Sequence, residues 1–433
     1  MEMKKTIRKY ITTLSKKSTL FRLLVKKSLF VIRYLKYRFV YSKQRVNDKM
    51  IIFESFMGKS FTDSPKAIYL YMINEKKYRD YKFVWAFKNP SEKKKYFSNK
   101  NTVLVQYGTK EYYMYYATAK YWVSNSRIPE HIIKKNSQIY VQTWHGTPLK
   151  KLGYDIEVVG GNVLNSNDEI KEKYLSDAKK FDYMVSPSKF CTEKYISSFN
   201  LSKLNKEDII IEKGYPRNDS LFKYTNEDIR NIKNNLNVPK GKKVILYAPT
   251  WRDNQHTSGI GYTYELGLDI DKMYNELKDD YVMLFRTHYF ALNSHNFDKY
   301  KDFILDVSTY DEVNDLYIVS DILLTDYSSV FFDYANLKRP MIFYMYDLDE
   351  YENKLRGFYF DIKELPGPIV RKEKDLINAI KNIDITKYEQ KYKQFNAKFN
   401  YLDNKDTARE VTEVFINGKD SSKFKKWSIN RWY

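Results

Sequence analysis

The chain has 433 residues, 43% of them hydrophobic and 17% aromatic, which is enough for two domains with sizeable cores. Its single cysteine, Cys191, excludes an intramolecular disulfide framework and a multi-cysteine zinc site, and it fits a reducing compartment. The net charge of +21 is uneven: fourteen lysines and arginines against one acid, Glu2, fall in residues 1–45, so the excess sits in a tail rather than over the whole body.

That tail, residues 1–45, is the first unit. Arg22, Lys26, Arg33 and Lys36 share one face of a helix, and Phe21, Leu24, Val25, Ile32, Leu35 and Phe39 lie mostly on another. No run of about 18 residues is free of charge, so a membrane-spanning helix is not expected. The start also lacks an uninterrupted apolar core with a small-residue cleavage site, so no secretory signal is expected. A basic amphipathic helix is expected to lie on an anionic membrane surface. The competing readings are a helix packed on its own domain and a nucleic-acid-binding segment. The first of the three is adopted, with no nucleic-acid partner.

Residues 46–222 read as a first α/β unit. Apolar runs occur at 50–53, 82–87, 102–105, 121–123, 138–142, 183–185 and 209–211, separated by helical or loop segments. Strands alternating with helices predict a mainly parallel sheet. The run at 138–142 leads into Thr143-Trp144-His145-Gly146-Thr147-Pro148-Leu149-Lys150. A strand exit is where side chains enter a cleft, and a neutral imidazole is the usual general base near pH 7. His145 is therefore the candidate base, with Gly146, Thr147 and Lys150 beside it on the acceptor side. A histidine packed under a turn is the alternative.

Thr225-Asn226-Glu227-Asp228 reads as a capping box, and the second unit spans 223–415. Its apolar runs lie at 244–247, 281–285, 303–305, 322–324 and 341–344. The first ends in Thr250-Trp251-Arg252 and the second in Arg286-Thr287-His288. The fourth ends in Thr325-Asp326-Tyr327-Ser328-Ser329, a strand, tight turn and helix start. Ser328 or Ser329 would cap that helix, whose first turn would offer unpaired N–H groups to an anion. Asp347-Leu348-Asp349 mimics a metal-binding Asp-x-Asp, but an exposed loop is the expected reading. The helix 406–416 carries Val411, Val414 and Phe415 to pack on a domain. Residues 416–433 form a tail in which Lys423, Lys425, Lys426, Trp427, Arg431 and Trp432 offer a second membrane contact.

Taken in order, Trp144-His145-Gly146-Thr147-Pro148-Leu149-Lys150, Ser186-Pro187-Ser188, Gly214-Tyr215-Pro216-Arg217-Asn218-Asp219, Tyr247-Ala248-Pro249-Thr250-Trp251-Arg252, Arg286-Thr287-His288, Thr325-Asp326-Tyr327-Ser328-Ser329 and Gly357-Phe358-Tyr359-Phe360-Asp361 with Pro366-Gly367-Pro368 resemble the CDP-glycerol glycerophosphotransferases of teichoic-acid synthesis. The resemblance covers roughly residues 50–415. It implies a GT-B-like α/β fold, with two Rossmann-like domains facing a cleft. It also implies CDP-glycerol, or CDP-ribitol, as donor and CMP as leaving group. The acceptor would be a lipid-linked or polymeric polyol phosphate at the cytoplasmic face of the cell membrane, where the enzyme would be peripheral. His145 is then the base and His288 the group across the cleft on the donor pyrophosphate. Thr250, Trp251, Arg252, Arg286, Thr325, Asp326, Ser328 and Ser329 are donor-side candidates. No metal ligand is assigned and no cofactor is expected to be required, with magnesium left open. A nucleotide-sugar glycosyltransferase of the same fold is the alternative activity.

Overall fold

The computed structural model describes residues 18–157, 167–250, 256–257, 261–262, 267–287, 297–348 and 357–418. The first domain is a seven-stranded sheet: β1 Asn47–Glu54, β2 Lys82–Phe87, β3 Thr102–Gln106, β4 Ala119–Ser124, β5 Ile139–Gln142, β6 Tyr183–Ser186 and β7 Ile210–Glu212. Every described pairing in it is parallel, in the order β3-β2-β1-β4-β5-β6-β7. Helices cover both faces, which is why the strands read as continuous apolar runs rather than alternating ones. Met50 and Ile52 of β1 face one core with Trp122 and Tyr140, and Ile51 and Phe53 face the other with Trp85 and Tyr121.

The second sheet repeats the plan with β8 Lys243–Ala248, β9 Tyr281–Phe285, β10 Ile304–Asp306, β11 Ile322–Thr325, β12 Met341–Tyr344 and β13 Ile369–Val370. Its order is β10-β9-β8-β11-β12-β13, again parallel throughout. Two parallel, doubly covered sheets form the expected α/β, GT-B-like architecture. The helix Asn226–Asn235 begins at the predicted capping box, with Thr225 Oγ1 accepting from Asp228 N at 3.2 Å and Asp228 Oδ2 from Thr225 N at 2.8 Å.

Two boundaries differ from expectation. The helix Thr407–Asn417 does not close the second domain. Its Val411, Val414 and Phe415 enter the first-domain core beside Ile51 and Phe53, with Phe415 5.8 Å from the Tyr121 ring. Asp219 Oδ2 holds its first turn by accepting from Ala408 N at 3.1 Å. The chain thus returns to its first domain, and the expected unit 223–415 ends before residue 407. At the other end, Tyr37 and Tyr41 lie on a π-helical turn and are buried in the first-domain core, so the expected segment 1–45 is partly body.

The helix before that turn, Thr19–Lys36, rides outside the domain. Ser18 caps it, its hydroxyl accepting from Phe21 N at 3.2 Å. Leu24, Ile32 and Phe39 are 57%, 62% and 62% exposed, so an apolar stripe points to solvent. No helix among the described residues is long and apolar enough to cross a membrane. The C-terminal tail candidates between Lys423 and Trp432 lie outside the described residues.

Candidate active site

In each sheet the strand order reverses once, between β1 and β4 and between β8 and β11. Ligands of open α/β sheets bind at such switch points, outside the carboxyl ends of the strands. Here the two switch points face each other across a cleft of about 540 Å³. Loops after β1, β5 and β7 form one wall, and loops after β8, β9, β10 and β11 form the other.

His145 stands on the first wall. Trp144 before it has φ +51°, a left-handed conformation that turns the chain sharply out of β5, and Gln142 Oε1 fixes the turn by accepting from Trp144 N at 2.9 Å. His145 Nδ1 lies 2.7 Å from the Asn125 carbonyl oxygen. A carbonyl only accepts, so Nδ1 carries the proton and Nε2 is left with a lone pair. Phe56 meets the ring edge-on at 5.8 Å. The ring is open to the cleft, yet protein encloses it. That desolvation lowers its pKa below 6.5, opposed by the Asn125 contact and Asp63 and assisted by Arg217 and Arg127. The neutral form therefore prevails at pH 7.

The neighbours of His145 tie the walls together. A Cβ on Gly146 would lie 2.9 Å from Ser329 Oγ, so any larger residue here would make the Ser329 side chain of the second domain shift. Thr147 is buried and takes the Cys191 thiol at 3.6 Å, and burial pushes that thiol up to about 12. Leu149 enters the second-domain core. Leu149 O accepts from Tyr359 N and Gly357 O from Lys151 N, each at 2.9 Å, with Lys150 bridged to Phe358. Thr147 and Lys150 are thus placed as seam residues beside the candidate base.

On the second wall, Thr250, Arg286, Ser328 and Ser329 line the cleft. Thr325 and Asp326 lie beneath it. The Thr325 hydroxyl is fully buried and donates to Ala248 O at 2.7 Å, so it faces β8 rather than a donor phosphate. Asp326 Oδ1 accepts from Thr250 N at 2.8 Å and Tyr327 N at 2.6 Å, clamping the two switch-point loops together. Ser329 precedes the five-residue helix Val330–Tyr334, but its hydroxyl makes no capping hydrogen bond, unlike the predicted cap. Arg286 Nη1 donates to Val307 O at 3.2 Å and Tyr310 O at 2.7 Å, which anchors the loop after β10. Trp251, Arg252, His288 and Asp349 lie outside the described residues, while Asp347 Oδ1 accepts from the Tyr327 hydroxyl at 3.1 Å. Among the described residues no three His, Cys, Asp or Glu side chains gather as a metal site.

The structure adds a group that the sequence left unassigned. Arg217, 6% exposed, lies at the cleft floor and pairs with Asp333 of the second domain, Nε to Oδ2 at 3.0 Å and Nη2 to Oδ1 at 2.9 Å. Its Nη1 stands 3.7 Å from Asp63 Oδ1 and has no hydrogen-bond partner among the described residues. Asp63 itself has φ +66°. The motif Gly214–Asp219 carried Arg217 in plain view, but its partner lies 116 residues away. At the cleft mouth Lys66 meets Glu312 at 2.7 Å and Lys93 meets Asp311 at 2.5 Å, both pairs joining the domains.

Known proteins share this arrangement. Residues 35–417 match the family described as CDP-Glycerol:Poly(glycerophosphate) glycerophosphotransferase. The teichoic acid poly(glycerol phosphate) polymerase of Staphylococcus epidermidis is 42% identical over 86% of this chain, which spans about half (51%) of that relative's length. The polymerase of the same description from Bacillus spizizenii is 40% identical over 86% of this chain and 92% of its own. A solved structure of the wall teichoic acid polymerase TagF, a variant soaked with CDPG, superposes with a TM-score of 0.81 at 39% identity, covering 92% of this chain and 99% of that one. This chain belongs to the CDP-glycerol:poly(glycerophosphate) glycerophosphotransferase family.

Proposed function

We propose that this chain transfers glycerol phosphate from CDP-glycerol to a hydroxyl of a polyol-phosphate acceptor held at a membrane, releasing CMP. The observation that carries the reading is the His145 imidazole. Its tautomer is fixed by Asn125 O, and its Nε2 is open to a cleft whose far wall is Thr250, Ser328 and Ser329. The acceptor hydroxyl gives its proton to Nε2 as its oxygen bonds to the glycerol-bearing phosphorus. The bond from that phosphorus to the bridging oxygen breaks, and CMP leaves with the electron pair. The Arg217 guanidinium, buried at the cleft floor against Asp333 and Asp63, holds the two walls in place around the transferring phosphoryl. Thr250, Ser328 and Ser329 hold the donor phosphates through hydroxyl and backbone N–H groups. His288, two residues after Arg286 in the chain, is assigned to the donor pyrophosphate by the family resemblance.

The exposed stripe of the N-terminal helix supports the membrane part of the reading. A helix that served only its own domain would bury that stripe. Here Leu24, Ile32 and Phe39 face out, and the surrounding basic charge suits the anionic cytoplasmic leaflet. On this reading the enzyme is a peripheral protein of that face, working beside a lipid-linked or polymeric acceptor. The test is incubation of the purified chain with CDP-glycerol, CDP-ribitol or a UDP-sugar and a vesicle-borne acceptor, with products sized by mass spectrometry. CMP release and glycerol-phosphate addition are expected. Preferential use of CDP-ribitol would make it a ribitolphosphotransferase, and UDP release would make it a glycosyltransferase.

A further inference from the structure

A second concavity lies outside the cleft, under the N-terminal helix. It has a volume of about 880 Å³. The helix contributes Lys26, Arg33 and Lys36, and the first domain contributes Arg127 and Lys173. Lys26 is paired with Glu169 at 3.0 Å. Among the described residues, no carboxylate pairs with Arg33, Lys36 or Arg127, although Arg127 lies 5.3 Å over the Tyr174 ring. The acids at the groove are Glu130 and Asp177, and burial raises the Asp177 carboxyl to about 7. The positive surplus is also felt by its neighbours. His131 is lowered to about 4 by burial, then by Arg33 and Lys180, and Lys173 is lowered by burial and by Lys26 and Arg127. Leu29, Phe30, Tyr107 and Ile128 are among the other lining residues, so the groove offers both cations and apolar surface, as an amphiphile's head requires.

The position of the groove matters as much as its charge. The helix that roofs it leaves Leu24 and Ile32 exposed to solvent, and the π-helical turn after it does the same for Phe39. The opposite wall includes Met57 and Arg127, each one or two residues from a group that touches the catalytic imidazole. Phe56 meets His145 edge-on, and Asn125 O accepts the hydrogen bond from its Nδ1. The two turns are stitched together, Phe56 N donating to Asn125 Oδ1 at 2.8 Å and Met57 N to Ser126 Oγ at 3.0 Å. One pair of turns therefore has the basic groove on one side and His145 on the other.

We propose that this groove binds the phosphate-bearing head of a lipid-linked acceptor, placing the acceptor's polyol end over the Phe56 and Asn125 turns at His145. The assignment rests on the reading of a membrane-held acceptor. It differs from simple lipid attraction, because the groove shares with His145 the two turns that carry Phe56 and Asn125, and because it exceeds the volume of a single phosphate group.

The test uses the full chain, CDP-glycerol and phosphatidylcholine vesicles doped with phosphatidylglycerol. The vesicles carry either a lipid-phosphate-linked acceptor or the same polyol on a phosphate-free lipid. The Arg33→Gln/Arg127→Gln protein is expected to raise KM for the phosphate-linked acceptor by about tenfold or more, the loss expected for charge-assisted hydrogen bonds. Its KM for CDP-glycerol and its sedimentation with the vesicles should stay within about twofold of wild type on the same scale. Lys36→Gln, on the exposed helix, reads the same groove without touching the domain core and should move KM in the same direction. An unchanged KM for the phosphate-linked acceptor in both proteins overturns the proposal. So does an equal rise on the phosphate-free acceptor, or a loss confined to sedimentation, which would make the groove a contact for bulk anionic lipid. A wild-type enzyme that turns over a soluble acceptor but neither vesicle-borne one would instead remove the membrane reading itself.

Discussion

The first-domain wall of the cleft gets its shape from backbone in the left-handed region, at Phe56, Met57, Asp63 and Trp144, whereas no non-glycine residue of the second wall has positive φ among the described residues. Such conformations cost roughly 1–3 kcal/mol each and persist where the surroundings over-determine them. Asn125, Ser126 and Gln142 side chains supply that hold. The second wall is relaxed: a buried carboxylate, Asp326, clamps two loops that present hydroxyls and backbone N–H groups. The contrast fits a division of labour. A base must meet one proton at one distance, while a phosphate is bound by several interchangeable donors. Substitutions on the first wall should therefore act on turnover, and those on the second on donor affinity.

The largest effect is expected at His145. His145→Ala should lower turnover by about 10²- to 10⁴-fold, with donor affinity by calorimetry close to wild type. Near-normal turnover by the pure variant would remove His145 from the mechanism. Next comes Arg217, which belongs to both walls. Arg217→Ala leaves the Asp333 carboxylate buried without its bidentate partner, which costs about 3–5 kcal/mol. Arg217→Lys keeps the charge but cannot form the two-pronged pair. Both should lower the melting temperature, the lysine variant less; equal melting of all three proteins would show that the pair is not holding the walls together.

On the second wall, Ser328→Ala/Ser329→Ala should weaken CDP-glycerol binding by about 1.5–3 kcal/mol, with kcat at saturating donor less affected. Calorimetry showing wild-type affinity, together with wild-type kinetics, would place the donor elsewhere. The pH profile tests the first wall again. Enclosure lowers the His145 pKa below 6.5, so the base loses its lone pair only when the pH falls through that lowered value. The acid limb of kcat/KM should therefore break below pH 6.5 and fall about tenfold per unit beneath the break. A break clearly above 6.5 would mean that the enclosure is absent in the working enzyme.

The sequence exposed the walls unequally for physical reasons. Parallel strands buried on both faces produce continuous apolar runs, so β1 to β12 were readable, but β13 is only Ile369–Val370 behind Pro366-Gly367-Pro368 and was not. His145 was legible because it follows a strand and its residue type is rare. Its partner, a backbone carbonyl at Asn125, has no residue signature. The left-handed Asp63 and Trp144 gave no sign, since neither is glycine. Thr325 looked like a phosphate contact because it ends a strand beside Ser328, but its hydroxyl faces the neighbouring strand, which depends on sheet order. Amphipathic spacing revealed Val411, Val414 and Phe415, but not that the first domain would receive them.

The smallest predicted effect concerns how the two walls are kept in register. Lys66–Glu312 and Lys93–Asp311 join the domains at the cleft mouth, and their side chains are only 15–23% exposed. The Lys66 ammonium is held above its ordinary pKa: burial opposes the charge, but Glu312, Asp315 and Asp311 outweigh it. Water still reaches the pair, so the gain from one bridge is modest, on the order of 1 kcal/mol in a double-mutant cycle. Such a coupling would act on the closed arrangement rather than on either wall. Glu312→Gln should then raise KM for CDP-glycerol about fivefold, the size of that coupling, and leave kcat and the acid limb where they were. Lys66→Met should do the same, and the double variant should be no worse than either single one. Additive losses would show that the two residues act separately. A shift in the acid limb would tie the mouth to His145, and the two walls would then not be independent.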